Sequence, residues 1–332
     1  MKFGPVPVAT AKGAILAHSL PAGKRRIRKG RTLSGDDIAA LTAAGHETVV
    51  VARLDETDVP EDTAASAVAA ALVPDEADAG LHLAQAHTGR VNIYADGVGV
   101  LEVGVAAVNA LNRIDPMITL ATLAPWQVVP RAARRQLVGT VKIISYAVRR
   151  DSLDHVLAIA KDALRLRRVE LSSARLIVTR HSDTDKDIGH LAVSKRLTAL
   201  GMTCDVVRVA HSEVAIADAM DEADADLILI LTASATSDAL DVAPQAVRRA
   251  GGRITRFGMP VDPGNLLFLG AHAGRPVIGL PGCARSPALN GADWVLERVV
   301  CGVDVSDEDI AAMGVGGLLK ESPARPHPRE QD

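Results

Sequence analysis

The chain is poor in aromatic residues, with two Trp, two Tyr and three Phe in 332 positions. Its core must therefore be built from Ala, Val, Leu and Ile, and it lacks the interleaved rings on which nucleobases stack. Cysteine is also scarce. Cys204, Cys283 and Cys301 are odd in number and far apart, which excludes a disulfide framework and a zinc-ligand pattern. No apolar run approaches the roughly 18 residues of a membrane span. The start, Met1-Lys2-Phe3-Gly4-Pro5, has no apolar segment of the signal-peptide kind. A soluble, cytoplasmic protein with no membrane partner is expected. Neither charge sign dominates: 37 Lys and Arg stand against 40 Asp and Glu, a formal net charge of −3, which argues against a general nucleic-acid binder. There is no internal repeat. What is present is an ordinary globular composition, 48% hydrophobic and 23% charged, which excludes global disorder. The length suits two domains or one large one.

The two halves read differently. From Ala174 onward, short apolar runs alternate with amphipathic segments. Ala174–Thr179 reads as a strand, followed by a helix with Ile188, Leu191, Val193, Leu197 and Leu200 at helical spacing and Gly201 just past its end. Cys204–Val209 is a second strand, leading to a helix over Glu213–Glu222. Asp226–Leu231 is a continuous apolar run, as expected of a strand buried on both faces. A helix near Val242–Ala250, strands near Ile254, Leu266–Leu269 and Pro276–Leu280, and a helix over Pro287–Val300 complete the series. Such alternation predicts an α/β fold, a mostly parallel sheet with helices on both faces, over residues 171–319.

Residues 1–170 predict a mixed α+β region. Ser34-Gly35-Asp36-Asp37 resembles a capping box opening a helix that ends at Gly45, and His46–Ala52 looks like a strand. Pro60, with Glu61 and Asp62 in the first turn, opens an Ala-rich helix to about Val73. Val100–Asn112 and Leu153–Leu166 read as helices and Val141–Arg149 as a strand. Residues 320–332, with three prolines among charges, read as a loosely attached tail.

Three segments could carry chemistry. Gly279–Pro287 follows a strand and opens a helix, placing backbone N–H groups at the sheet's C-terminal edge, where ligands bind in open α/β sheets. Ser286 suits the N-cap, Pro287 suits the first helical position, and Gly282 allows close backbone approach. A well-capped helix without a ligand would look the same. Thr232–Asp241 leaves the most buried strand. Its small and hydroxyl residues leave room for a bulky ligand, and Asp238 and Asp241 are oxygen donors of the kind Mg²⁺ uses, although an acidic Ser/Thr loop at a helix start is common. Gly258–Asn265 contains Pro263-Gly264, which is also ordinary turn chemistry.

In this order the three segments resemble the molybdopterin-binding domain family of molybdenum-cofactor biosynthesis. That family has a Thr-Gly-Gly-x-Ser-x-Gly-x-x-Asp loop, a Pro-Gly-Lys-Pro turn and a Leu-Pro-Gly-Asn-Pro-x-Ser loop. Thr232, Thr236 and Asp241 align with the first, Pro263 and Gly264 with the second, and Leu280, Pro281, Gly282 and Ser286 with the third. The wording is nearest to the molybdopterin-binding half associated with molybdenum cofactor cytidylyltransferase, through Gly258–Gly264, Leu280–Pro287, Asn290–Trp294 and Met313–Leu319. Thr88–Asn92 and Asp58–Asp62 look like that subgroup too. There are departures. Ala233, Ser234 and Asp238 replace glycines, Asn265 replaces the turn's lysine, Cys283-Ala284 replaces Asn-Pro, and Thr179-Arg180-His181 stands where the catalytic relatives have Thr-Gly-Asp-Glu.

The resemblance implies a molybdopterin-binding fold and a ligand that is molybdopterin, or its nucleotide or metal derivative. Thr232, Ser234, Thr236, Asp238, Pro263, Gly264, Asn265, Pro281, Gly282, Cys283, Arg285 and Ser286 are the expected contacts. If the protein is an enzyme, the resemblance implies Mg²⁺-dependent transferase chemistry of the molybdopterin molybdotransferase kind, with Asp241 as the catalytic metal ligand and molybdate as a further partner. The alternatives are a non-catalytic carrier or partner of a cytidylyltransferase, which the missing acidic residues favour, and a nucleotide or NAD-related hydrolase on the same fold. Homodimerisation stays open. Lys24–Arg31, six cations in eight positions, reads as a solvated loop or one facing an anionic ligand rather than a nucleic-acid surface. His181 and His190 are ligand or acid–base candidates, although loop histidines are commonly just solvated.

Overall fold

A computed structural model of the protein describes residues 1–129, 135–182 and 189–319. They form two compact units. One comprises Met1–Asp96, Leu101–Gln127 and Arg135–Leu166; the other gathers Gly97–Val100, Val128–Val129 and the described residues from Arg167 onward. The expected tail 320–332 lies outside the described residues.

The second unit is α/β, as the alternation predicts. Its six strands are β1 (Ser173–Arg180), β2 (Thr203–Ala210), β3 (Leu227–Leu231), β4 (Arg253–Phe257), β5 (Phe268–His272) and β6 (Arg275–Leu280). They lie in the order β2-β1-β3-β6-β5-β4. β2, β1, β3 and β6 pair in parallel; β5 is antiparallel to both neighbours, so β4 runs the same way as β6. The apolar run Leu227–Leu231 takes the centre because it alone can bury every side chain, and all five are fully buried.

Three helices connect the strands, α1 (His190–Ala199), α2 (Glu213–Asp221) and α3 (Val242–Arg249), and a fourth, α4 (Gly291–Val300), follows β6. Ile228 and Ile230 point to one face of the sheet, where they pack with Ile216 and Met220 of α2 and Ala243 and Val247 of α3. Alternation sends Leu227, Leu229 and Leu231 to the opposite face, against the side of α1 and α4. Gly201, at φ +87°, stands just past the end of α1. One glycine is fixed by a neighbouring ring. Phe268 pairs across from Gly279, and a Cβ at Gly279 would lie 1.9 Å from the Phe268 ring. The sparse aromatic content thus yields one fully buried ring that needs a bare backbone beside it, at the end of β6 that leads into the candidate site.

In the first unit, the helix Gly35–Ala43 carries the capping box of Ser34 and Asp37, and the helix Glu61–Leu72 follows Pro60. Three expected elements are divided. The segment read as one helix from Val100 is a strand, Gly99–Val103, then a helix, Val105–Ile114, broken at Gly104. Leu153–Leu166 is a helix, Arg150–Ala160, then a strand, Leu164–Arg168; Asp162, at φ +54°, turns the chain between them. Val141–Arg149 is the end of one strand, Leu137–Ile143, and a second, Ala147–Arg149. In each case a short strand lies directly against its neighbouring element in sequence, where periodicity alone does not mark the boundary.

Candidate functional site

Because β1, β2, β3, β4 and β6 share a direction, their C-terminal ends line one edge of the sheet. The loop after β3 (232–241), the β4–β5 connection (258–267) and the loop after β6 (281–290) all meet that edge, the usual ligand side of an open α/β sheet.

The first loop is largely self-bonded. Thr232 and Thr236 are buried, with their hydroxyls 3.4 Å apart. Asp238 Oδ1 accepts the Leu240 N–H at 2.7 Å. Asp241 is the N-cap of α3: Oδ1 accepts the Val242 N–H at 2.7 Å and Oδ2 the Ser237 N–H at 3.0 Å. Both carboxylate oxygens of the expected metal ligand therefore already hold backbone amides. No group of three or more His, Cys, Asp or Glu side chains placed to hold a metal occurs among the described residues.

In the second loop, Pro263 and Gly264 are buried. The Pro263 carbonyl accepts the Gly291 N–H at 2.8 Å, and a Cβ on Gly264 would lie 2.8 Å from the Gly291 nitrogen. This turn therefore braces the start of α4. Asn265 is exposed, and its side chain bonds the Met259 carbonyl at 3.4 Å.

The third loop departs from its expected form. Gly282–Arg285 is a 3₁₀ turn, and α4 begins only at Gly291. Ser286 is not its N-cap and Pro287 is not its first residue. The cap is Asn290, whose Oδ1 accepts the Ala292 N–H at 2.9 Å while Asp293 Oδ2 accepts the Asn290 N–H at 2.8 Å. Ser286 Oγ instead accepts the Ala288 N–H at 3.2 Å. The reason is Arg196 of α1. Its guanidinium pairs with Asp293 and bonds the carbonyls of Ala284, Ser286 and Ala288 at 2.9, 2.8 and 3.0 Å; the last two are acceptors that a helix begun at Ser286 would have used. Asn-Gly-Ala-Asp then supplies both halves of a capping box four residues later.

The first and third loops are joined by Arg285, which donates to the Thr232 carbonyl at 2.6 Å. Pro281 is buried, Cys283 is half-buried and Gly282 is exposed. A Cβ at Gly282 would meet nothing within 4 Å, so packing does not require glycine there.

The structure adds a residue the sequence reading missed. His211, just past β2, sits among the ends of β1 and β3. Its Nδ1 lies 2.9 Å from Thr179 Oγ1, which also accepts the Ala233 N–H at 2.7 Å, and its Nε2 lies 3.4 Å from Ser234 Oγ. The His181 ring meets it edge to face, centroids 4.9 Å apart. Burial lowers the imidazole pKa and the His181 charge lowers it further, against a smaller opposing pull from Asp241. His211 is therefore a neutral, anchored imidazole facing a serine hydroxyl. The only available sequence signal was its place one residue beyond a parallel strand. His190 is elsewhere engaged, 3.3 Å from Arg208 Nη2.

A model for a domain of unknown function (DUF8806) matches residues 5–53. No curated protein matches the chain at a significant level. Among solved structures, the chain is similar to the molybdopterin biosynthesis MoeA protein from Pyrococcus horikosii, at 12% identity over 91% of this chain and 75% of that one, with a TM-score of 0.33. A molybdenum cofactor biosynthesis protein B is similar at 14% identity over 40% of this chain and 96% of that one, with a TM-score of 0.30. A molybdenum cofactor biosynthesis protein from Pyrococcus furiosus is similar at 12% identity over 90% of this chain and 61% of that one, with a TM-score of 0.21.

Proposed function

We propose that the α/β unit binds molybdopterin, or its nucleotide or metal derivative, in molybdenum-cofactor assembly, and that it acts as a carrier or partner of a cytidylyltransferase. The observation that carries this reading is the meeting, at one sheet edge, of the three loops whose wording resembles the molybdopterin-binding family, two of them tied by Arg285 and Thr232. The exposed side chains of Ser234, Asp238, Asn265 and Ser286, together with Gly282, form the ligand face; Thr232, Thr236, Pro263, Gly264 and Pro281 hold it in shape. The donor set at Asp241 does not fit a resident Mg²⁺, because both oxygens are spent on amides, and this favours a carrier over a metal-dependent molybdotransferase.

The test is titration calorimetry of the full chain with molybdopterin and with its adenylylated form. Saturable binding is expected. Gly282→Val should weaken it at least about tenfold, a loss of about 1.4 kcal/mol, with an unchanged melting temperature, since the new side chain meets open space. Absence of binding by the folded wild type refutes the reading.

His211 supports a second reading, a nucleotide or NAD-related hydrolase. A neutral imidazole anchored through Nδ1, with Nε2 turned to a hydroxyl, is the arrangement of a general base. Hydrolysis of a nucleotide substrate that is lost in His211→Asn would select this reading over the carrier.

A further inference from the structure

The basic loop Lys24–Arg31 of the first unit takes no part in the sheet-edge site. Its backbone is firmly held. Leu20–Ala22 and Arg25–Ile27 form a hairpin turning at Gly23, at φ +64°. Ile27 is buried in a core with Leu16, Leu33 and Leu41. The Lys29 N–H bonds Ser19 Oγ at 3.0 Å, the Gly30 N–H bonds the Leu16 carbonyl at 2.8 Å, and the Leu16 N–H bonds the Arg31 carbonyl at 2.9 Å.

The side chains are arranged around one buried acid. Asp37 is fully buried; its carboxylate accepts from the Ser34 N–H and hydroxyl at 3.1 and 3.0 Å, from Arg31 Nε at 2.8 Å and from Arg25 Nη2 at 3.4 Å. The two arginine side chains remain 54% and 53% exposed, so Asp37 draws both guanidinium groups to one place without burying them; Arg25 Nη2 also reaches the Asp36 carbonyl at 3.5 Å. Arg25, Arg26, Arg28, Lys29, Arg31 and Asp37 line a concavity of about 450 Å³. The lining holds five cations against one carboxylate; among the described residues Arg26, Arg28 and Lys29 form no close ion pair, and Lys29 acts only through space on the Glu61 carboxylate.

Like charges held this close repel, and a multivalent anion relieves the repulsion. Planar guanidinium groups match phosphate oxygens in pairs. A diphosphate or triphosphate group, with about three to four negative charges near neutral pH, matches the lining. No aromatic side chain lines the concavity, so nothing offers a nucleobase a stacking surface.

We propose that the Lys24–Arg31 loop is a binding site for an oligophosphate group, with Asp37 as the positioning residue that converges Arg25 and Arg31 on it. This site is independent of the molybdopterin reading. The oligophosphate comes either free or attached to a nucleoside, and two titrations distinguish these sources: the full chain with inorganic tripolyphosphate, and with ATP, both without metal and at low and physiological salt. Expected is one tripolyphosphate per chain, with affinity falling steeply as salt rises and orthophosphate much weaker. ATP of equal affinity assigns a free oligophosphate, and tighter ATP assigns a nucleotide-borne one. The double variant Arg28→Gln, Lys29→Gln changes only exposed side chains; it should bind tripolyphosphate at least about tenfold more weakly with an unchanged melting temperature. The proposal is overturned by no tripolyphosphate binding at millimolar concentration in low salt, by undiminished binding in the double variant, or by an RNA oligonucleotide that binds at the loop and resists displacement by tripolyphosphate.

Discussion

Asp37 in the first unit and Glu297 in the α/β unit are both acidic side chains sheltered from water near arginine, yet they occupy opposite protonation states. The hydrogen bond from Arg31 outweighs burial at Asp37 and, with the amide and hydroxyl of Ser34, holds its carboxyl down at about 2. Burial pushes Glu297 up to about 8; the neighbouring Asp293 charge adds to this, while Arg298 and Arg196 only partly oppose it. Nearness to a guanidinium is therefore not what keeps a sheltered carboxylate ionised. At Asp37 the donors reach the oxygens. Beside Glu297, Arg196 is committed to Asp293 and to three carbonyls of the 281–290 loop, so Glu297 carries its own proton at neutral pH.

The largest effect is expected where this commitment is removed. Arg196→Ala leaves Asp293, whose side chain is 9% exposed, without its partner and beside a second acid. Breaking such a pair costs about 3–5 kcal/mol, and the loop after β6 loses the donor for three carbonyls. Chemical denaturation should show the loss, and ligand affinity at the sheet edge should fall with it. Arg196→Lys, which keeps the charge without the planar fork, should recover only part of either. Equal stability of Arg196→Ala and wild type would show that the loop is organised by Asn290 alone.

Glu297→Gln tests the other side of the comparison and has the opposite sign. With its folded pKa raised from 4.5 to about 8, Glu297 keeps a proton that the unfolded chain releases. Wild-type stability should therefore fall as pH rises from 4.5 towards 8, with a slope approaching about 1.4 kcal/mol per pH unit. The glutamine variant lacks this slope. It should match wild type near pH 4.5 and exceed it by about 2–4 kcal/mol near pH 8.

Asp37 gives the complementary window. Its folded pKa is lowered from 3.8 to about 2, so its contribution is present above pH 3.8 and is lost as pH falls through about 2. Asp37→Asn should cost about 2 kcal/mol at pH 7, the scale of hydrogen bonds to a charged acceptor, and less below pH 3. A cost that does not change with pH would assign Asp37 a packing role alone.

The same contrast explains what the sequence made legible. Ser34 and Asp37 stand three residues apart, so the capping box could be read directly. The alternation of strands and helices after residue 174 likewise predicted the six-stranded sheet, because periodicity is local. Arg196 and Asp293 are 97 residues apart, and nothing local announces that one guanidinium will gather the carbonyls of Ala284, Ser286 and Ala288. The start of α4 was therefore expected at Pro287 and lies at Gly291. His211 was missed for the same reason: Thr179 and Ser234 reach it only once β1, β2 and β3 are side by side. Motif wording could locate the loops at the sheet edge, but not which of their residues face outward and which brace the turn.

The smallest expected effect concerns Asp241, a carboxylate satisfied locally like Asp37 but at a helix N-cap in a loop. Asp241→Ala should cost about 1 kcal/mol through the lost cap, whereas Asp241→Asn, which keeps an oxygen for one of the two amides, should cost less. That difference separates the structural role from a metal role. Capping needs only an oxygen acceptor for the Val242 and Ser237 amides, which an amide supplies in part, while Mg²⁺ needs the carboxylate charge. Titration of molybdopterin with and without Mg²⁺, on wild type and Asp241→Asn, should therefore give four equal affinities. If Mg²⁺ tightens binding to the wild type and not to the variant, the carboxylate must exchange an amide for the metal when the ligand arrives. The carrier reading then gives way to the metal-dependent transferase.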